Sequence, residues 1–441
     1  MPMNKIPPER PRAARPPGRR RLAAVSLAAC LAAAYPAAAA ADGTAAPASA
    51  GTAQVNCAPP GVKLAPCYSP QAYEVAYGVA PLLRRGINGR GETVVMPELA
   101  AAPPSTDIRQ DLAAFDTTFG LPPASLNVVN TIAGSATPYL AGNEEIGDTE
   151  MVHAIAPDAT LDVVLMSQDA TASPANFAAA ITKVIQEDVA LHAAVISLSL
   201  SVGERFLARA EAAAMNQALE RARQQHVTVV ASSGDLGAIS SHPAGPPVQV
   251  SMPASDPLVL GAGGTSLDAT PDGTYLGEMA WNADTEASGG GYSSLFPRPA
   301  YQDGLARARA TRGVPDVAAN AESATAMAVL QGNGLHSSRG TSVSAPLWAA
   351  VIALADQEAG QHLGFVNPAI YAVARGPAYH QAFHDVTAGD NSVQWHGRVI
   401  AGYHAGPGWD PVTGWGSPDA QYLVPLLAHA AARHAGSGAL R

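Results

Sequence analysis

Residues 194–235 read AVISLSLSVGERFLARAEAAAMNQALERARQQHVTVVASSGD and contain the pattern that decides the fold. Two nearly continuous apolar runs, 194–200 and 227–231, enclose residues 204–225, which are rich in strong helix formers. The same alternation continues elsewhere, with strand-like runs at 93–96, 161–166 and 257–261 and helical patterns at 105–118, 144–155 and 174–190. Strands that alternate with helices predict an α/β fold, with a mostly parallel sheet and helices on both faces. Functional side chains should then gather beyond the carboxyl ends of the strands.

Charge is unevenly distributed along the 441 residues. The formal net charge is −10, but residues 1–21 carry seven basic residues and one acid, so the remaining chain has 19 basic and 35 acidic residues. A body without a basic stripe has nothing to attract phosphates, which argues against a nucleic-acid partner. With 47% hydrophobic and 14% charged residues, the composition excludes a mostly disordered chain.

Residues 1–41 have the pattern of an export signal peptide. A basic block is followed by an apolar stretch that begins at Leu22 and by an alanine-rich segment that reaches Ala41. We therefore expect a protein that is secreted or periplasmic and has no stable membrane association. Two alternatives stay open. The same segment could anchor the protein in a membrane, although it is mostly alanine and contains Pro36. Alternatively, Cys30 could carry a lipid, although the apolar stretch continues beyond it.

Residues 42–68 read as a linker rich in Ala, Pro, Gly and Ser. They contain Cys57 and Cys67, the two cysteines that would remain after removal of the signal peptide. In an oxidising compartment a disulfide between them is expected, worth about 2–3 kcal/mol for so short a loop. Their spacing is not C-x-x-C, which argues against a metal or redox pair. We expect a single folded domain over 69–428 and a tail over 429–441.

A candidate nucleophile precedes a helix that is apolar all round and should therefore be buried. Residues 338–354 read SRGTSVSAPLWAAVIAL, with Pro346 suited to the first turn. Ser342 would lie at the helix N-terminus, where free backbone N–H groups and the helix dipole favour a developing oxyanion. The alternative is that Ser342 only caps a core helix.

Two acidic motifs supply candidate partners for a serine nucleophile. Glu144 and Asp148 stand four residues apart, so on a helix they share one face, and their repulsion favours a shared proton. Asp235 follows a strand in a Ser-Ser-Gly-Asp turn, at the end of the sheet where active sites form. The alternatives are a solvated acidic helix start for the pair and ordinary turn chemistry for Asp235.

Taken together, these motifs resemble the sedolisin family of serine-carboxyl peptidases, acid-acting relatives of subtilisin. The resemblance covers 69–427 and includes further ordered matches, namely YGVAPLL at 77–83, PASDPLV at 253–259, SGGGYS at 288–293 and PDV at 315–317. It implies a subtilisin-like α/β fold. It also implies four catalytic roles: nucleophile Ser342, base Glu144, the acid Asp148 that orients this base, and the oxyanion-stabilising acid Asp235.

Elementary chemistry agrees with a carboxyl-based triad that works in acid. A Glu base has less proton affinity than His, which would already be charged at low pH. A true subtilisin would need an Asp after its first strand and a characteristic His helix. The first strand ends in Glu98 instead, and His153 lacks the flanking pattern, so we interpret His153 as a core histidine.

The resemblance also implies a calcium site and a substrate groove. One structural Ca²⁺ would be held by the Asp385 and Asp410 carboxylates and by the carbonyl oxygens of Val386, Gly406 and Gly408; tight turns are the alternative. The groove, which would bind extended polypeptide, maps to Ser199, Leu200, Ser201, Ser288, Gly289 and Gly290.

The expected function is that of a secreted, acid-acting endopeptidase that works as a monomer. A tripeptidyl-peptidase mode of the same chemistry is one alternative. A catalytically silent secreted scaffold that binds peptides or calcium is the other.

Overall fold

The computed structural model of the chain describes residues 54–55, 57, 67–100, 105–131, 139–190, 193–239, 248–332 and 334–438. The predicted signal peptide, with Cys30, lies outside the described residues. Within the described residues, no helix is both long enough and apolar enough to cross a membrane. Cys57 and Cys67 form the expected disulfide, beside a short antiparallel pair of strands, Gln54–Val55 and Cys67–Tyr68.

The fold is built on one central sheet. Its strands are β1 Thr93–Leu99, β2 Ser125–Asn130, β3 Thr160–Met166, β4 Val195–Leu198, β5 Thr228–Ser232, β6 Leu260–Ala269, β7 Tyr275–Ala280 and β8 Val317–Asn320. Their order across the sheet is β7-β6-β5-β4-β1-β3-β2, with β8 paired to β6. Every pair is parallel except β6 with β7. The predicted mostly parallel sheet is confirmed.

Helices surround this sheet. They are α1 Pro70–Ala76, α2 Ala80–Arg84, α3 Ile108–Phe119, α4 Asn143–Ile155, α5 Pro174–Ala190, α6 Arg209–Gln224, α7 Thr341–Ala359, α8 Asn367–Ala374, α9 Tyr379–Ala382 and α10 Ala420–Gly438. The boundary expected at 428 between domain and tail falls inside α10. Short strand pairs lie outside the sheet: Thr106–Asp107 with Leu140–Ala141, Val202–Gly203 with Ser251–Met252, Gly291–Pro297 with Thr311–Val314, Ala328–Gln331 with Gly334–Ser337, Phe383–His384 with Ser417–Pro418, and Val393–Trp395 with Arg398–Ile400.

Both faces of the sheet are covered, which explains why its strands are apolar without alternation. Along β1, Val94 and Met96 pack into the core shared with α4 and α7, whereas Val95 packs into the core shared with α5 and α6. Helix α7 is the centre of the first core, and its side chains from Thr341 to Asp356 are all buried. Helix α7, which is apolar all round, is therefore covered by the sheet, α4 and α10.

Two predicted elements are displaced, each because of one side chain. The strand expected at 257–261 begins at Leu260, since the Asp256 carboxylate accepts from Leu258 N–H at 2.9 Å and closes a turn first. The helix expected from residue 204 begins at Arg209, since buried Glu204 turns inward and accepts from Ser294 N–H at 2.6 Å.

Candidate active site

The candidate nucleophile lies at the first turn of α7. Gly340 precedes the helix with φ +106°, a conformation that favours glycine, and its N–H donates to Ala321 O at 2.9 Å. Ser342 is the second residue of the helix. Its hydroxyl is buried and makes no hydrogen bond within the described residues. No hydrogen bond from its backbone N–H to a described residue is formed either, as expected of a helix N-terminus.

The sequence predicted Pro346 in the first turn of this helix, and this prediction is wrong. Pro346 lies in the helix interior, because α7 begins at Thr341, five residues before it. A proline has no N–H, so it cannot donate to the carbonyl four residues before it, which is that of Ser342. The Ser199 hydroxyl, just beyond the end of β4, lies 3.2 Å from this carbonyl oxygen in donor geometry. The first turn of α7 is therefore tied to the segment that follows β4.

Helix α4 brings Glu144 and Asp148 to the same place. Glu144 keeps partial exposure, and its carboxyl lies near enough to Ser342 for the hydroxyl to lower the carboxyl's pKa. Burial, followed by the charge of Asp148, outweighs this effect and raises the pKa of Glu144 well above its ordinary value. Glu145 has a different task, because its carboxylate accepts from Gly142 N–H at 2.7 Å and caps the helix.

Asp148 lies behind Glu144 and is 3% exposed. Its carboxyl is hydrogen-bonded to the Ser199 hydroxyl and also contacts Glu98, at the carboxyl end of β1. Burial raises the pKa of Asp148 from 3.8 to about 7, and it raises the pKa of Glu98 well above its ordinary value, with the Asp148 charge as the next cause. Three carboxyls therefore crowd into one buried cluster, where they cannot all be ionised.

Asp235 approaches Ser342 from the end of β5. Its Oδ1 accepts from Thr341 N–H at 2.7 Å and from Thr341 Oγ1 at 2.8 Å. A Cβ built on Gly340 would lie 2.6 Å from Asp235 Oδ2 and 3.2 Å from Ser342 Oγ, so both oxygens face the same small space. All four expected catalytic residues thus converge at the carboxyl ends of β1, β4 and β5.

The histidine considered as an alternative base is engaged elsewhere. The His153 ring is fully buried near the end of α4, and its Nε2 lies 2.9 Å from Asp116 Oδ1 and 3.0 Å from Pro122 O. Its interpretation as a core histidine agrees with this position.

The two halves of the expected groove differ in what they offer a peptide. Leu200 and Ser201 follow β4, and their backbone N–H and C=O groups form no hydrogen bonds with the described residues. This edge can accept an added strand. The Ser199 side chain, in contrast, is buried and directed into the carboxyl cluster.

The glycine-rich half of the expected groove, residues 288–290, is packed inside the protein. Ser288, Gly289 and Gly290 are buried, the Gly289 N–H donates to Gly234 O at 2.7 Å, and the Ser288 O accepts from Asn391 Nδ2 at 3.0 Å. A Cβ on Gly289 or Gly290 would lie within 2.3 Å of a backbone oxygen. The glycines are therefore required by close backbone approach, and this segment offers no comparable edge.

The expected calcium ligands also lie together. Gly408 N–H is 3.1 Å from an Asp385 oxygen, and Thr413 Oγ1 lies 3.4 Å from Val386 O and 3.1 Å from Asp410 Oδ2. Asp410 is buried, and burial raises its pKa to about 6.

The donor chemistry of this loop fits a hard cation. In the described part of the chain, no three His, Cys, Asp or Glu side chains cluster in a way that could hold a metal. Any ion bound here would therefore take two carboxylates, with backbone carbonyls such as those of Gly406 and Gly408. Such an all-oxygen set suits Ca²⁺ rather than a transition metal.

Two residues that the sequence pattern did not single out take part in the site. Glu98 extends the carboxyl cluster, and Thr341 fixes Asp235 by two hydrogen bonds while accepting from Gly234 N–H at 3.0 Å. Glu98 carries a readable signal, because it is an acid at the carboxyl end of the first central strand.

Comparison with known proteins shows the family of this chain. The sequence model of the subtilase family, a peptidase family, matches residues 128–369. Kumamolisin from Bacillus sp. strain MN-32 is 34% identical over 357 residues, which cover 78% of this chain and 61% of kumamolisin. Tripeptidyl-peptidase SED1 from Arthroderma otae is 33% identical over 254 residues, covering 46% of this chain and 36% of that protein. The chain thus spans less than two thirds of the length of these relatives.

Among solved structures, Pseudomonas sedolisin, a serine-carboxyl proteinase complexed with pseudo-iodotyrostatin, superposes with a TM-score of 0.67 at 26% identity. The match covers 82% of this chain and 98% of that structure. The chain belongs to the subtilase family, and within it to the sedolisins.

Proposed function

We propose that this protein is a serine-carboxyl peptidase that hydrolyses peptide bonds in acid. The observation that carries the proposal is the convergence of Ser342 Oγ, the Glu144 carboxyl and Asp235 Oδ2, with no imidazole among them. Nucleophile, base and oxyanion donor are the three roles that acyl transfer requires.

Acylation begins when Ser342 Oγ attacks the carbonyl carbon of the scissile bond. The hydroxyl proton passes to Glu144, which then gives it to the leaving amine as the C–N bond breaks. Hydrolysis of the acyl-enzyme follows the same steps in reverse order, with water in place of the amine. Glu144 accepts and returns one proton in each half-reaction.

The carboxyl cluster makes Glu144 suitable for this role. Burial raises the pKa of Glu144, so its carboxylate is a stronger base than an exposed Glu would be. Asp148 and Glu98 also have raised pKa values, so they hold protons in mildly acidic solution and add no negative charge beside Glu144. The negative charge of the cluster then falls on Glu144, because three close carboxyls cannot all be ionised.

Asp235 and the N-terminus of α7 would stabilise the oxyanion. The Ser342 N–H and Asp235 Oδ2 are near the position where the tetrahedral oxygen would develop. Asp235 can donate to this oxygen only while it is protonated. The protonated form of Asp148, which leaves the negative charge to Glu144, is favoured in acid.

Polypeptide is the proposed substrate, bound as an added strand along Leu200 and Ser201. Both an endopeptidase and a tripeptidyl-releasing mode are compatible with this edge, and the products distinguish them. We further propose one structural Ca²⁺ held by the residues named above, supported by the oxygen donors and buried charge of the loop. Bound calcium would offset the charge of Asp385 and Asp410 and rigidify the loop.

We also propose that the protein acts outside the cytoplasm, secreted or periplasmic. The signal-like sequence of residues 1–41 and the Cys57–Cys67 disulfide support this location.

The test is incubation of the protein with an unfolded polypeptide at about pH 4, with products identified by mass spectrometry. We expect turnover that Ser342→Ala abolishes and that Glu144→Gln lowers by about 100-fold or more. Glu187→Gln makes the same chemical change at an exposed helical site and should leave turnover unchanged. No turnover in the wild type, with calcium binding intact, would favour a silent scaffold and contradict the proposal.

A further inference from the structure

The Ser199 hydroxyl lies beside two oxygen atoms that can each accept a hydrogen bond from it. The Ser342 carbonyl oxygen lies 3.2 Å away, and Pro346 cannot supply its usual helical donor. The second neighbour is Asp148 Oδ2, which is hydrogen-bonded to the same hydroxyl. A hydroxyl has only one hydrogen to donate. Because a carbonyl oxygen cannot donate, both bonds can be complete only when the hydrogen between Ser199 and Asp148 belongs to Asp148.

We propose that Ser199 is a positioning residue that couples the protonation of Asp148 to the first turn of the nucleophile helix. When Asp148 is protonated, it donates to Ser199 Oγ, and Ser199 donates to the Ser342 carbonyl. When Asp148 is ionised, the Ser199 hydrogen turns to the carboxylate and the Ser342 carbonyl loses the Ser199 donor. The inference rests on the proposed function for its consequence, namely that the nucleophile is held in place in acid.

The surroundings of Asp148 favour the protonated arrangement in acid. The titratable groups that face it are Glu98 from β1 and Glu144 and Glu145 from α4, with Asp235 beyond Glu144. All are carboxyls, and none of the main influences on the pKa values of Glu98, Glu144 and Asp148 is a cation. Burial raises the pKa of Asp148 to about 7, so the switch between the two arrangements should occur near neutral pH.

A double-mutant cycle between Ser199 and Pro346 tests the coupling. Pro346→Ala restores an N–H four residues after Ser342, which can then donate to the carbonyl in place of Ser199. We expect Ser199→Ala to lower kcat at pH 4 by about tenfold with little change in KM, the effect of one network hydrogen bond. In the Pro346→Ala background this loss should shrink to about twofold. Ser199→Thr keeps the hydroxyl and should retain most of the activity.

Ser197→Ala is the matched control. Ser197 lies two residues earlier on β4, is fully buried, and its hydroxyl forms no hydrogen bond in the described structure. Removal of this hydroxyl changes packing to a similar extent but leaves intact the relay, that is, the hydrogen bonds from Asp148 to Ser199 and from Ser199 to the Ser342 carbonyl. Equal losses in Ser199→Ala and Ser197→Ala would overturn the inference. So would a Ser199→Ala loss that is the same with Pro346 present and in the Pro346→Ala background.

The Ser199–Pro346 cycle can also be measured by the urea concentration at the midpoint of unfolding, which does not depend on enzymatic activity. We expect the midpoint loss caused by Ser199→Ala at pH 4 to be at least halved in the Pro346→Ala background, and this coupling to disappear at about pH 8. Coupling in the midpoints of a protein without turnover would support the relay while refuting the peptidase. Additive midpoints at both pH values, with normal wild-type turnover, would refute the relay alone.

Discussion

Replacing Asp148 by asparagine should make the protein more stable at neutral pH. The carboxyl has an unfolded pKa near 3.8, and burial raises its pKa to about 7 in the fold. A group whose pKa rises on folding favours the fold in its protonated form. Its contribution is fully present below about pH 4 and is lost as the pH rises through about 7. The amide of the Asp148→Asn variant cannot ionise, so this variant should escape the loss.

The magnitude follows from the size of the shift. The rise of the Asp148 pKa from 3.8 to about 7, at about 1.4 kcal/mol per pH unit, gives a change of about 4 kcal/mol at most in the free energy of unfolding. Because Glu98 and Glu144 can take up part of the charge, we expect about 2–4 kcal/mol. Relative to wild type, Asp148→Asn should therefore be more stable by this amount at about pH 8 and nearly equal in stability at about pH 4.

The assay is urea unfolding followed by circular dichroism at both pH values, with calcium held constant. Both proteins carry Ser342→Ala, so that self-digestion in acid cannot distort the transition. A stability difference that is the same at about pH 4 and about pH 8 would refute the assigned burial of charge. Destabilisation by Asp148→Asn at about pH 8 would refute it more strongly.

Three other outcomes are expected. Asp235→Ala removes the carboxyl that would donate to the oxyanion, so kcat at about pH 4 should fall by about 100-fold or more while KM changes little, as steady-state kinetics would show. Gly340→Ala forces a side chain into a φ of +106° and against Asp235 Oδ2, so activity should be lost and the protein destabilised by about 1–3 kcal/mol in the same urea assay. Removal of calcium with a chelator should lower the melting temperature, with recovery on adding Ca²⁺ but not Mg²⁺; an unchanged melting temperature would contradict the proposed ion.

The sequence predicted the parts of this molecule that depend on pattern. Continuous apolar runs predicted five of the eight central strands, although β6 begins later than expected, and a helix that is apolar all round placed α7 in the core. The strands β2, β7 and β8 were missed. β2 and β7 are the two edge strands and are not continuous apolar runs, and β8 is only four residues long. The spacing of Glu144 and Asp148 placed both on α4 because i and i+4 share a helix face.

What the pattern could not provide was the contact made by each side chain. Glu204 looked like the first turn of a helix, yet its carboxylate binds Ser294 N–H and delays the helix to Arg209. Ser199 looked like a groove residue, yet its hydroxyl faces the carboxyl cluster. Such assignments depend on which distant segment lies opposite, and a single sequence does not encode that information locally.

The central claim is that carboxyl groups alone transfer the protons at Ser342. The pH dependence of kcat/KM for an unfolded polypeptide, measured from about pH 2 to pH 9, tests it most directly. We expect a maximum in acid and a fall above about pH 6–7, as Asp148 loses its proton. A maximum near pH 8, together with loss of activity in His153→Gln, would show that an imidazole is the base and would contradict the claim.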